Sequence, residues 1–402
     1  MVSPAVAEAG YPVSDIDPFS LDYIREPYPF HARLREAGAV VWLSRWNSWA
    51  VARYEEVAAV LRDPQTFCSS AGVGIINFNS EQPWRPPSLL LEADPPEHTR
   101  RRAVMGRILS VSNLRRLREG FERAANALID RTAGCGTVDG VVDIAQPYVL
   151  EVFPDAVGLA PGGRENLLAY GNMVFNGFGP RNEIFLAATR QADAVRDWIM
   201  QRCERNALRP DGLGREVYDG VDAGEISADE AALLVRSLLS AGVDTTVDAI
   251  GSILLCFARH PAEWEKLRRN PSRARSALEE VLRYESPFQT FFRTTTRDVT
   301  LAGQAIAKNQ KIMVSIGSAN RDPAKWDDPT RFDIDRRVAG HMAFGAGIHG
   351  CVGQMISRLE AEVFLATLAK RIARIAVTGD PVWKVNNTLR GLASLPLTLQ
   401  PG

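Results

Sequence analysis

The residues best equipped for chemistry sit near the C-terminal end, in Phe344-Gly345-Ala346-Gly347-Ile348-His349-Gly350-Cys351-Val352-Gly353. Four glycines around one cysteine let the backbone take positive φ and approach something flat and bulky. Apolar residues at helical spacing follow over 352–369 (Met355, Ile356, Leu359, Val363, Leu365), so Cys351 is predicted at a helix N-terminus. Free N–H groups and the helix dipole favour a thiolate there. A thiolate in a glycine loop with open space before it is one way a protein ligates haem iron; the plainer alternative is a buried free cysteine.

A second constellation is Ala241-Gly242-Val243-Asp244-Thr245-Thr246, in the middle of a helix predicted over 228–259. Ser227-Ala228-Asp229-Glu230 reads as a capping box at its start, and Pro261 ends the run. Small residues followed by an acid and two hydroxyls are unusual in a buried helix. Gly242 costs about 1 kcal/mol against alanine, and a threonine hydroxyl bonding back one turn bends a helix locally. Ser237, Ala241 and Thr245 are spaced i, i+4, i+8 and share one stripe. A third pattern, Glu280-x-x-Arg283, places a carboxylate and a guanidinium on one helix face.

The totals exclude several classes. A formal charge of −1 gives no support for a nucleic-acid partner. The five cysteines, Cys68, Cys135, Cys203, Cys256 and Cys351, lack CxxC spacing, which suits a reducing compartment. Residues 1–15 carry no basic n-region with an apolar core, and no run of apolar residues reads as a membrane span. The expectation is a cytoplasmic, monomeric protein with residues 1–14 disordered and 15–402 a single domain. Two short strands are predicted over 40–43 and 48–52, a helix over 54–62, a helix opening at Asp94-Pro95-Pro96-Glu97, helices through 111–284, and short strands near 298–306 and 311–315.

The cysteine motif resembles the haem-binding loop of the cytochrome P-450 family, and the agreement runs from about residue 20 to the C-terminus. That resemblance implies a mainly α fold with a small β portion and haem b, with Cys351 thiolate as axial ligand. It places the haem between a long distal helix and the proximal cysteine-loop helix. It implies that Asp244 and Thr245 deliver protons to dioxygen, that Ala241 makes room over the haem, and that Phe344 and Gly345 contact it. His98, Arg102, Arg293 and His349, with His341 assisting, are implied partners of the haem carboxylates. His31 and His260 are left as surface residues. Glu280, Arg283 and Arg336 are implied to be structural.

Finer similarity points to a subfamily that oxidises para-substituted benzoic acids such as 4-methoxybenzoate. It is carried by Trp84-Arg85-Pro86-Pro87-Ser88, Val174-Phe175-Asn176-Gly177-Phe178-Gly179, Leu234-Val235-Arg236-Ser237 and Gln289-Thr290-Phe291-Phe292-Arg293, whereas residues 74–82 depart from its pattern. Carried over, Arg85, Ser88 and Ser237 bind the carboxylate with Arg236 nearby. Phe175, Phe178 and Phe291 hold the ring, and Leu90, Leu91 and Val243 are further apolar candidates. No dinucleotide fingerprint or ferredoxin-like cysteine cluster is present, so electrons must come from outside; the resemblance implies a [2Fe–2S] ferredoxin and its NAD(P)H-dependent reductase. The rival readings are the same chemistry on a terpenoid or fatty acid, a peroxide-driven haem enzyme, and a non-catalytic haem sensor.

Overall fold

The computed structural model describes residues 10–402. Helices make up most of the body, and the strands form one sheet of six, one of three and two of two strands. A six-stranded sheet runs in the order Val13–Ser14, Val41–Leu43, Ser48–Val51, Lys311–Ser315, Thr290–Thr295, Phe67–Cys68. Val13 pairs with Trp42 and Ser14 with Leu43, which corrects the expected disorder over 1–14 for the part that is described; residues 1–9 lie outside the described residues. The strands Ile372–Val377, Pro396–Pro401 and Thr137–Asp139 form a second sheet that the sequence reading missed.

The helix Tyr54–Arg62 lies where periodicity put it, with Val57, Ala58, Val60 and Leu61 buried. The helix after the proline pair begins at Glu97, so Pro95 and Pro96 precede it.

The capping box at Ser227 is formed: Ser227 Oγ accepts the N–H of Glu230 and the Glu230 carboxylate takes the N–H of Ser227. The long helix divides into Ala228–Gly242 and Asp244–Arg259 at Val243 (φ −89°, ψ −68°). Thr245 Oγ1 donates to the carbonyl of Ala241 at 2.8 Å, the back-bond that favours a local bend. Across the break the span is long and apolar enough to cross a membrane (mean hydropathy 1.4), contrary to the sequence reading. Its apolarity has another cause, since 78% of that window is buried by the surrounding helices. The proximal helix, Gln354–Arg371, starts two residues later than periodicity suggested.

Behind it Arg283 and Glu280 form a two-pronged ion pair (Nε–Oε2 2.7 Å, Nη2–Oε1 2.8 Å), both fully buried. Arg336 Nε adds a third contact to Glu280 Oε1 at 3.3 Å, and Arg283 Nη1 also reaches the carbonyls of Asn320 and Pro329. Two groups of one helix and a third from a distant segment are thus tied by charge-assisted bonds that leave few polar atoms unpaired. His31 is wholly buried, not on the surface, with Nε2 2.9 Å from the hydroxyl of Tyr23.

Candidate active site

One interior cavity lies between the distal and proximal helices, and Cys351 and Thr245 both line it. The loop that presents Cys351 turns tightly: Gly347 has φ +69°, and a Cβ there would stand 2.3 Å from the carbonyl oxygen of Leu61. Only glycine fits such an approach. The Cys351 N–H bonds the carbonyl of Phe344 at 2.8 Å, closing the loop. Burial pushes the Cys351 thiol up; the N–H groups of Gly353 and Gln354 and the charges of Arg102 and Arg358 oppose this without overcoming it. The N–H groups at the helix start act in the direction the sequence suggested, against burial, and a coordinating metal would complete the thiolate.

Whether haem fits can be judged from the polar groups around the cavity. Arg102, Arg293 and His349 line it, and His98 packs against His349 with ring centroids 4.3 Å apart. His98 Nε2 and His349 Nε2 are both buried without a hydrogen-bond partner. Asp94 stands 3.9 Å from His349, beyond hydrogen-bonding distance. Arg102 has no carboxylate partner among the described residues, and Arg293, wholly interior, bonds only the carbonyl of Phe292. Burial drives His98 down to about 4 and Arg293 to about 10. Two guanidiniums and two orphaned imidazoles suit a group that brings two carboxylates. Phe344, Gly345 and Ala241 also line the cavity. His341 does not. Its Nε2 bonds Glu279 at 2.7 Å and its Nδ1 takes the N–H of Ala343, so both ring nitrogens are used elsewhere.

The distal side departs from expectation at its acid. Thr245 faces the cavity, but Asp244 is buried away from it, with Oδ1 2.7 Å from Lys384 Nζ and Oδ2 unpartnered. Burial raises the Asp244 carboxyl, and Lys384 opposes the rise. One turn on, buried Asp248 is pushed up to about 7, chiefly by burial. Burial works against the charge of Lys384, yet Asp244 and Asp248 outweigh it and hold the amine above its ordinary value. Gly242 makes room for a side chain of the protein itself, since a Cβ there would stand 2.2 Å from the ring of Phe153. Val243 is fully buried and does not line the cavity. On the proximal side Thr246 Oγ1 lies 3.4 Å from Ser357 Oγ, beside Glu360, whose carboxyl has no partner at either oxygen and is held well above its usual range by burial.

Arg85, Ser88, Leu90, Leu91, Phe175, Phe178, Arg236, Ser237 and Phe291 all line the same cavity. The rings of Phe175, Phe178 and Phe291 close into a quartet with Phe288, which the sequence reading missed; Phe288 and Phe291 stack at 4.0 Å and Phe175 meets Phe288 edge-on at 5.8 Å. Phe288 lies three residues before Phe291, a spacing that could have flagged it. Nothing in the sequence pointed to Lys384, 140 residues from Asp244. The Ser237 hydroxyl donates to the Leu233 carbonyl at 2.8 Å, so it must turn to serve a ligand. Arg236 has no ion-pair or hydrogen-bond partner among the described residues, and Arg85 is paired with Glu92 at 3.0 Å.

A distal helix with a bent acid–alcohol segment, a glycine-wrapped cysteine opposite it and a cradle for two carboxylates define a haem-thiolate monooxygenase. The Cytochrome P450 family model matches residues 213–400. The chain is 54% identical over 402 residues to cytochrome p450 CYP199A2 of Rhodopseudomonas palustris, covering 100% of this chain and 98% of that protein. It is 31% identical to cytochrome P450 107B1 of Saccharopolyspora erythraea (97% and 98% covered). The solved structure of cytochrome P450 CYP109Q5 from Chondromyces apiculatus superposes with a TM-score of 0.81 at 30% identity, over 96% of this chain and 98% of that one. The chain belongs to the cytochrome P450 family. It is a haem b monooxygenase that uses dioxygen and electrons from redox partners.

Proposed function

We propose that this enzyme hydroxylates or O-demethylates a para-substituted benzoic acid, with electrons from a [2Fe–2S] ferredoxin and its reductase. One observation carries the reading: a single cavity has Cys351 at one end, a phenylalanine quartet in its wall, and two guanidiniums, Arg85 and Arg236, with Ser88. Flat aromatic walls hold an aromatic ring, and guanidinium with hydroxyl holds a carboxylate. Haem b held by Cys351 supplies the activation of dioxygen and the transfer of one oxygen atom.

The protein's own part is positioning and proton handling. His98, Arg102, Arg293 and His349 hold the haem carboxylates. Arg85 and Ser88 fix the substrate carboxylate, so the para substituent faces the Cys351 end and no other carbon is presented. Thr245 offers a hydroxyl at the cavity wall, and Asp244 carries protons inward from Lys384, whose side chain is 23% exposed. For a methoxy substrate the balance is one dioxygen, two electrons and two protons in, and phenol, formaldehyde and water out. An aliphatic terpenoid or fatty acid would leave the quartet without a ring to hold.

The test is a visible-spectrum titration of the ferric holoenzyme with 4-methoxybenzoate, followed by turnover with ferredoxin and reductase. A Soret shift and release of 4-hydroxybenzoate are expected. Arg85→Ala should weaken binding by about 1.5–3 kcal/mol, the worth of a charge-assisted hydrogen bond. Wild-type protein that gives no shift, or Arg85→Ala with unchanged affinity, refutes the assignment.

A further inference from the structure

The loop that supplies Arg85 and Ser88 already holds a carboxylate, and it is the protein's own. Glu92 Oε2 accepts the backbone N–H of Ser88 at 2.7 Å and stands 3.0 Å from Arg85 Nη1, with the Glu92 side chain only 3% exposed. Glu92 does not line the cavity; it sits behind the two residues that do. Arg85 Nη1 is used up on Glu92 and on the carbonyl of Pro86 (2.8 Å), which leaves Nε and Nη2 without partners among the described residues. Ser88 Oγ accepts the N–H of Leu91 at 3.2 Å, so its own proton remains free to donate. Arg101 moors the loop to the first turn of the distal helix, bonding Glu230 Oε1 at 2.8 Å and the Leu89 carbonyl at 3.2 Å. Arg236 stands some nine residues before Thr245, roughly 13 Å along that helix. Apart from the arginines assigned to haem, the cations that line the cavity are Arg85 and Arg236, and Glu92 stands bonded behind Arg85; Arg101 is spent on Glu97 and Glu230, and burial pushes Lys311, near Glu92, down to about 7. Arg102 and Arg293 would be matched by the two carboxylates of haem.

We infer that Glu92 is a positioning residue that sets this end of the cavity to a single net positive charge, and thereby selects monocarboxylates over dicarboxylates. The inference rests on the benzoate reading above. One bound carboxylate neutralises the end; a second would arrive with no cation to meet it and would have to be desolvated beside Glu92. Without the Glu92 charge, the end holds two positive charges and can match a dianion. A unit charge within about 6 Å is worth more than a tenfold change in affinity at an effective dielectric of about 20.

The experiment compares dissociation constants of the ferric holoenzyme for 4-methoxybenzoate and for 4-methoxyphthalate, in which a second carboxylate adjoins the first. Wild type should bind the monoacid and discriminate against the diacid. Glu92→Gln should narrow that ratio by about tenfold or more. The double variant Arg85→Gln/Glu92→Gln removes the ion pair as a neutral unit, so it stands even where the single variant fails to retain haem. It should bind both acids less well and keep the wild-type ratio. An unaltered ratio in Glu92→Gln, or a collapsed ratio in the double variant, overturns the charge inference and leaves the benzoate reading intact. Silence of every protein toward both acids overturns the two together.

Discussion

Asp248 should leave a signature in the pH dependence of stability that its amide does not share. Its carboxyl is 2% exposed, has a buried oxygen with no hydrogen-bond partner, and is raised from the ordinary 3.8 to about 7. Between those values the folded protein keeps a proton that the unfolded chain has released. Stability from this group is therefore full below pH 3.8, declines as pH rises toward about 7, and is flat above it. The displacement of about 3 units corresponds to about 4 kcal/mol across the window. For 402 residues, an unfolding entropy of about 2.1 cal/mol/K per residue makes that about 5 °C in Tm. Asp248→Asn removes the titration and keeps the shape. Its Tm, followed calorimetrically from pH 4.5 to 8, should gain about 4 °C on wild type by the alkaline end, whatever constant offset the amide introduces. Parallel curves for the two proteins would show that Asp248 is not carrying a proton in this range, and the reasoning from burial would fail.

Two further outcomes follow from the distal side. Thr245→Ala should keep benzoate affinity but divert reducing equivalents to peroxide, read as NADH consumed per product formed; full coupling contradicts the proton-holding role proposed for Thr245. Lys384→Met removes the cation that opposes the burial of both Asp244 and Asp248. Both carboxyls should rise further, moving the acid limb of the turnover profile to higher pH with benzoate affinity unchanged, and an unmoved profile would separate Lys384 from proton handling.

Features written in local sequence were legible. The capping box at Ser227, the helix Tyr54–Arg62 and the glycine spacing around Cys351 depend on neighbours a few residues apart, so pattern reading reached them. The stripe Ser237, Ala241, Thr245 was legible for the same reason, and all three residues line the cavity. What escaped depends on residues far apart in sequence. Thr137–Asp139 becomes a strand only because Pro396–Pro401 lies beside it. His341 looked available to haem from its place before the cysteine loop, but Glu279 of the helix Ala274–Glu285 claims its ring. Glu92 carried no sequence signal of its own, and its contact with Arg85 is made only by the fold.

Asp244 shows why this matters for mechanism. Sequence set it beside Thr245, and adjacency suggested that the two act on one space. Successive residues on a helix point about 100° apart, and here that angle is enough to turn the acid away from the cavity its neighbour lines. Here the alcohol has the cavity and the acid has Lys384. The break at Val243 changes the terms of that division. It separates two helical segments just before Asp244, and the Thr245 hydroxyl is spent on the Ala241 carbonyl across it. In the proposed role, Asp244 must exchange its ion pair for contact with the Thr245 side of the helix. Both residues follow the break and share one helical segment, so that exchange has to come from the Asp244 side chain at the segment's first residue. Gly242 thus serves the packing of Phe153, while Ala241 and Gly242 both line the cavity beside Thr245.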